Sequence, residues 1–388
     1  MRTPTESWLD LLPRDPRPWI LQSAEKAARF VALTELFGRR PEDVEVNEAR
    51  SAVLADPGVQ GLIARLPDWE EESVSSGHHS PSFSSNLLVL LSDMGVGPGV
   101  EPRIERILDR MLLRQNGEGR FQSLGRWRGQ DEPRWGALLC DTHAITEVLV
   151  RFGRADDARV ERSLRRMAED LSLTAQGAGW PCIQDPSSGF RGPGRKGDMC
   201  PQVSLQALRT VARLPATRRP QGLLDAARSC AGIWLERGRW KPYLFGHGRQ
   251  FKTVKWPPFW YSVLEVLDAL SRFPALWKGP TARDQERRAL AEMMACLVAY
   301  NVGPDGLVTP RSCYQGFESF SFGQKREPSA YATAVVCAVL RRLGPLAAQA
   351  RVVDVTRLGS SKGGSGKPMP PGTRTAGGTG PGLSIPGD

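Results

Sequence analysis

Histidine and tyrosine are scarce in this chain of 388 residues, four and five in number, and aromatic residues make up only 7% of it. No apolar run approaches the ~18 residues that a membrane-spanning helix needs, so an integral membrane protein is not expected. Acids at Glu6, Asp10 and Asp15 interrupt the first residues, which therefore lack the basic-then-apolar plan of a secretory leader. Cysteine is sparse and odd in number, seven in all. That argues for reduced thiols in a cytoplasmic protein rather than a disulfide framework. Long basic runs, zinc-finger spacings and RNP-like stretches are also missing. The formal charge of +10 is accordingly read as an arginine-rich solvated surface, with no nucleic-acid partner.

What is present suffices for a folded protein. Apolar residues, 40% of the total, can fill a core, which excludes global disorder. Residues 356–388 are rich in Gly, Pro, Ser and Thr, cannot bury a core, and are expected to form a disordered tail. Residues 1–355 are left as one domain.

Repetition is the strongest signal in that domain. Six segments finish on an apolar residue followed by Gly or Pro: Phe37-Gly38, Met94-Gly95, Phe152-Gly153, Leu214-Pro215, Phe273-Pro274 and Leu343-Gly344. Their spacings are 57, 58, 62, 59 and 70 residues. Each is preceded by apolar residues at helical intervals, such as Ile145, Val148, Leu149 and Phe152, and Gly or Pro just past the last apolar turn is a helix stop. These helices are apolar around much of their circumference, as helices buried on both sides are. Between them the sequence predicts amphipathic helices over Ile104–Gln115, Val160–Leu173, Leu223–Arg237 and Glu286–Tyr300. A repeat of two antiparallel helices can close on itself. The expected fold is all-α, an (α/α)6 toroid of six helical hairpins around a central cavity, with an open solenoid as the other arrangement.

A second pattern follows several of the outer helices: Gln115-Asn-Gly-Glu-Gly-Arg-Phe121, Gln176-Gly-Ala-Gly-Trp180, Gly238-Arg-Trp240 and Gly303-Pro-Asp-Gly306. Gln can hydrogen-bond a helix end, the glycines permit a left-handed turn, and the aromatic can plug the layer between hairpins. This pattern resembles the degenerate Gln-Trp repeat of the terpenoid cyclase and protein prenyltransferase superfamily, over roughly residues 19–345. The resemblance implies an enzyme acting on an isoprenoid or similar apolar substrate, one that carries a diphosphate in some branches, held in the central cavity.

In such a toroid the residues just before each inner helix line one rim, and all four histidines fall in such segments. The stretch from Arg191 to Cys200 resembles the prenyltransferase β-subunit pattern of basic residues before an Asp-x-Cys. That resemblance implies zinc held by Asp198, Cys200 and a later histidine, for which His247 is the candidate, with Arg195 and Lys196 on the diphosphate. Pro201 stands where the family has an aromatic, and His247 precedes its helix rather than lying in it. A capping aspartate and a buried cysteine are the plainer reading of the same residues.

A second basic segment runs from His247 to Tyr261. Arg249, Lys252 and Lys255 suit a cationic funnel for phosphate. Trp256, Trp260 and Tyr261, with Tyr331 from the last repeat, suit an apolar wall that stabilises a carbocation. Packing between hairpins explains the same aromatics. The Asp-x-Asp-Asp acid of squalene-type cyclases and the aspartate-rich metal motif of other terpene synthases are both absent. Cys140-Asp141-Thr142-His143 loosely resembles the acid motif of oxidosqualene-type cyclases. Asp141 is therefore the expected acid and His143 its partner.

Two other functions stay open. Many (α/α)6 barrels hydrolyse carbohydrates with paired carboxylates, for which Asp141, Asp198 and Glu327 are candidates. The fold also serves as a non-enzymatic binding scaffold.

Overall fold

The computed structural model describes residues 6–71, 80–126, 131–186, 189–192, 195–239, 245 and 248–358. Among these residues the chain is predominantly helical. Its α-helices are α1 Arg17–Gln22, α2 Lys26–Val31, α3 Val44–Leu54, α4 Pro57–Ala64, α5 Ser84–Met94, α6 Pro102–Leu113, α7 Leu139–Arg151 and α8 Ala158–Glu169. They continue with α9 Pro201–Ala212, α10 Leu223–Leu235, α11 Gly248–Lys252, α12 Val263–Leu270, α13 Asp284–Asn301, α14 Ala330–Arg342 and α15 Ala347–Arg351. A π-turn, Ala32–Leu36, extends α2. Three two-stranded ribbons are the only sheets among the described residues. No single helix among them is long and apolar enough to cross a membrane.

The six helices that end at the repeated stop signals are α2 with its π-turn, α5, α7, α9, α12 and α14. Each packs against the next in that order, and α14 packs against α2. Their burial follows from their sequences. In α9 every residue from Pro201 to Val211 is buried, and in α7 only Cys140 and Arg151 are not fully so. The alternating helices show one apolar stripe instead. In α6 the buried residues are Ile104, Ile107, Leu108, Met111 and Leu112, at the intervals of a single helical face. Such helices cover the first set: α3 lies on α2, α8 on α7, α10 on α9 and α13, and α13 on α12.

The Gln–Gly–aromatic turns tie neighbouring hairpins together. The Gln115 side-chain amide donates to the Gly119 carbonyl at 3.0 Å and to the Arg159 carbonyl of α8 at 2.7 Å. Gln176 donates to Asp198 Oδ1 at 2.9 Å and accepts from the Met199 amide at 2.8 Å. Phe121 and Trp180 are fully buried, and the Trp180 indole donates to the Met167 carbonyl at 2.8 Å. A further repeat emerges at the fourth residue of three inner helices. Thr142 donates to the Phe121 carbonyl, while Ser204 and Thr333 accept from the Trp180 and Val308 amides. A hydroxyl at this buried position pins each inner helix to the turn outside it and satisfies a backbone group there.

The first residues dock elsewhere than the chain order suggests. Trp8, Leu9 and Leu12 are buried, but their turn packs on α14 and α15 at the end of the domain. The Ser7 hydroxyl fixes it there, donating to the Gly344 carbonyl at 2.8 Å. The acidic segment that follows α4 buries Trp69 completely.

Candidate functional site

A cavity of about 300 Å³ is bounded by residues of α2 and its π-turn, α5, α7, α9, α12 and α14, and by the segment 256–259. That volume is at the lower end of small-molecule sites. Its two ends differ in chemistry. Toward the starts of the helices the wall combines the aromatic rings of Trp256, Phe259 and Tyr331 with the uncharged polar side chains of Ser85, Asn86 and Gln202. Toward their ends it is charged.

The charges follow the repeat. In the last turn of the six inner helices, or just past it for Arg213 and Arg272, stand Glu35, Asp93, Arg151, Arg213, Arg272 and Arg342, one per repeat, and all six line the cavity. One turn earlier the wall carries Val31, Val89, Glu147, Arg209, Asp268 and Ala338. Glu265 lies still nearer the start of α12. Exposure shows which end is open. The Glu35 and Asp93 side chains are 41% and 44% exposed, whereas Glu147 is 1% and Tyr331 2% exposed. Among the described residues the cavity thus opens at the helix ends, opposite to the rim that the sequence suggested.

The inner charges form two bonded sets, one around Glu147 and one around Asp268. Glu147 accepts from Arg151 at 2.8 Å and from Arg209 at 3.1 Å. Arg209 also donates to Glu265, and Arg151 to Asp93. Asp268 accepts from Arg272 at 2.9 Å and from Arg342, which reaches Glu35 at 2.7 Å. Burial works against the ionised form of Glu147, but the guanidiniums of Arg209 and Arg151 overcome it and hold the carboxyl at about 2. Arg272 and Arg342 likewise outweigh burial at Asp268 and hold it well below the usual carboxylate range. Glu265 differs. Burial pushes it up to about 7, Arg209 opposes, and Asp268 and Glu147 add to the rise. Its one guanidinium is shared with Glu147, which leaves too little positive charge to offset desolvation. The cavity therefore holds one carboxyl drawn down to about 2 and, nearby, another raised to about 7.

Most residues singled out from the sequence lie away from this cavity. Tyr331 lines it, as does Trp256. Asp141 and His143 do not, although both are buried. Asp141 accepts from the Ser123 hydroxyl at 2.6 Å, and burial raises it to about 6, against that bond and the Cys140 thiol. His143 turns to α9, where its Nδ1 meets the Val203 carbonyl at 3.1 Å and its ring stands edge-on to Trp180. Burial lowers it to about 4 despite the Val203 bond. The physical reason for the correction is rotational: residues 141 and 143 sit on α7 faces covered by its neighbours, whereas Ala144, Glu147 and Arg151 share the stripe that faces the cavity.

The basic and metal candidates are also displaced from it. Arg195 and Lys196 are exposed, outside the cavity. Lys252 and Lys255 lie over the rings of Tyr300 and Tyr314, at 5.2 and 3.7 Å. Trp260 stacks on Tyr261, which is buried against Phe245. The helix of Arg249 is described but its side chain is not, and His78, His79 and His247 lie outside the described residues. Asp198 Oδ1 is taken up by Gln176. Cys200 caps α9, its thiol pushed up to about 12 by burial. No group of three potential metal ligands gathers among the described residues, and His247, the third ligand candidate, lies outside them. Glu327 is exposed, so the three carboxylates considered for carbohydrate chemistry do not share a cavity.

The cavity charges escaped the sequence reading because each looked like a solvated residue near a helix end. A signal existed. Asp93, Arg151, Arg213, Arg272 and Arg342 each stand immediately before the apolar residue of a stop signal, and Glu35 stands two before. Aligning the six endings would have placed a charge in every copy.

No protein-family model, curated protein or solved structure matches the chain.

Proposed function

We propose that the chain is an (α/α)6 toroid and an enzyme of isoprenoid type, its central cavity the chamber for a substrate with an apolar body. The cyclic order of contacts among the six inner helices supports closure. One observation carries the functional reading: a single chamber bounded by all six helices combines aromatic side chains with Glu265, a buried carboxyl raised to about 7. Of the reactions the resemblance implies, proton-initiated cyclisation is the one this arrangement suits.

Glu265 gives its proton to a substrate double bond. A C–H bond forms, the π bond breaks, and the cation lies beside the faces of Trp256, Phe259 and Tyr331, where ring quadrupoles stabilise it. Attack by a second double bond closes a ring, and transfer of a proton from carbon back to the Glu265 carboxylate regenerates an alkene and the acid, which balances the step. Glu147 stays ionised at about 2 and keeps Arg209 and Arg151 oriented. Under this reading the protein works in the cytoplasm on a small apolar substrate, without nucleic acid. Any zinc bound by Asp198, Cys200 and His247 lies outside this step.

A second reading rests on the same pair. Glu147 and Glu265, joined through Arg209 and split in protonation, also fit the acid and base of a glycosidase. The test is incubation of purified protein with geranyl, farnesyl and geranylgeranyl diphosphates, their alcohols, and chromogenic glycosides, followed by mass spectrometry of products. Cyclised isoprenoids are expected, at a rate that falls as pH rises through about 7. Glu265→Gln should slow turnover by roughly 10²–10⁴-fold. Glycoside hydrolysis without isoprenoid turnover would select the second reading. Neither activity, with no isoprenoid retained in native mass spectrometry, would leave a binding scaffold.

A further inference from the structure

The mouth of the cavity is charged in an ordered way that proton-initiated cyclisation does not require. Of its six helix-end positions, the two at the α2 π-turn and α5 are acids, and the four at α7, α9, α12 and α14 are arginines. These four helices are consecutive neighbours, so the arginines form an uninterrupted arc. An arginine at a helix end offsets the negative pole of the helix, which accounts for each of them separately. It does not account for their incomplete pairing.

Arg213, between Arg151 and Arg272, has Asp93 as its carboxylate neighbour at 3.7 Å, beyond hydrogen-bond reach. Asp93 already accepts from Arg151. The buried Nε of Arg272 has no partner, and Asp268 is divided between Arg272 and Arg342. Burial first, and then the like charges of Arg151 and Arg272, lower Arg213 to about 10, against Asp93 and Glu147. Donors in surplus at a partly open mouth are the arrangement that recognises a multivalent oxyanion.

We propose that Arg151, Arg213, Arg272 and Arg342 form an oxyanion collar that seats a phosphate or diphosphate group of the substrate at the cavity mouth, with Arg213 as its central contact. This rests on the chamber reading above and adds the substrate's charged end. It also moves the phosphate site away from Arg195 and Lys196, which lie on the surface. The apolar body then points inward to Trp256, Phe259 and Tyr331. The diphosphate is bound and stays attached, so the collar takes part in no bond-breaking step.

Isothermal titration with inorganic phosphate, pyrophosphate, farnesyl diphosphate and farnesol tests it. Pyrophosphate should bind wild-type protein in a salt-sensitive manner, and farnesyl diphosphate about tenfold or more tighter than farnesol. In Arg213→Gln both advantages should collapse toward onefold while farnesol affinity is kept. Arg213→Lys, which keeps the charge but not the fork, should fall between and serves if the glutamine variant is unstable. Loss of pyrophosphate binding in Arg195→Ala/Lys196→Ala, with Arg213→Gln unaffected, would overturn the collar. So would equal affinity for farnesol and its diphosphate, with the chamber left standing. Pyrophosphate binding that depends on Arg213, without any farnesol binding, would keep the collar and sink the isoprenoid chamber instead.

Discussion

Replacing Glu147 by Gln removes one charge from the centre of its bonded set and should destabilise the protein in a pH-dependent way. The carboxyl is 1% exposed and held between Arg151 and Arg209. Its folded-state value of about 2 against an ordinary 4.5 corresponds to about 3 kcal/mol at neutral pH, at 1.36 kcal/mol per unit. The cost of breaking a buried pair, about 3–5 kcal/mol, agrees. With an unfolding entropy near 2.1 cal/mol/K per residue, a chain of this length loses ~1.2 °C per kcal/mol, so a Tm lower by about 4 °C is expected. The sign follows from the depressed value. The contribution is complete above about pH 4.5 and is lost as pH falls toward 2. The Glu147 part of the gap between wild type and variant should therefore be lost in scanning calorimetry as pH falls below about 4.5, while a change between about pH 5 and 7 reports Glu265. A second readout is catalytic. Without Glu147, Arg209 is left wholly to Glu265, whose protonation should shift below its value of about 7, and the alkaline limb of the rate profile should move with it. A Tm change under about 1 °C, or a gap unchanged by acid, would refute the idea that this carboxylate is ionised and anchors its set.

Three further outcomes follow from the packing. Gly95 ends α5 with φ 113°, and a Cβ there would lie 2.8 Å from the Phe30 ring; Gly95→Ala should cost roughly 1–3 kcal/mol in urea unfolding, and an unchanged midpoint would contradict the turn. His143, lowered to about 4 by burial, should show a neutral imidazole by NMR down to about pH 5; because its folded value is lowered, it withdraws stability as pH falls from about 6.5 to 4, and titration near 6.5 would mean that the ring is solvated. Trp180→Ala empties a fully buried site and strips the Met167 carbonyl of its donor, for an expected loss of about 3–5 kcal/mol; a smaller loss for Trp180→Phe should separate volume from the hydrogen bond.

The outline of this protein was set by its sequence. Apolar residues recurring at helical intervals, stopped by Gly or Pro at nearly even spacing, dictate six helices buried all round. Single apolar stripes such as Ile104, Ile107, Leu108 and Met111 dictate the helices that cover them. The Gln–Gly–aromatic turns were legible too, because Gln115, Gln176 and Trp180 act through short local bonds. Which stripe of an inner helix faces the cavity was not legible. A helix apolar on every side has no preferred face in its sequence, so Asp141 and His143 were as eligible as Glu147 and Arg151. Only the packing of α7 between α5 and α9 assigns the first pair to the neighbours and the second to the centre. The same holds for charge: an arginine in a last turn reads as solvated until five other helix ends are brought beside it. Desolvation and the sharing of Arg209 between Glu147 and Glu265, which decide where a proton can be held, are properties of that convergence and of no segment taken alone.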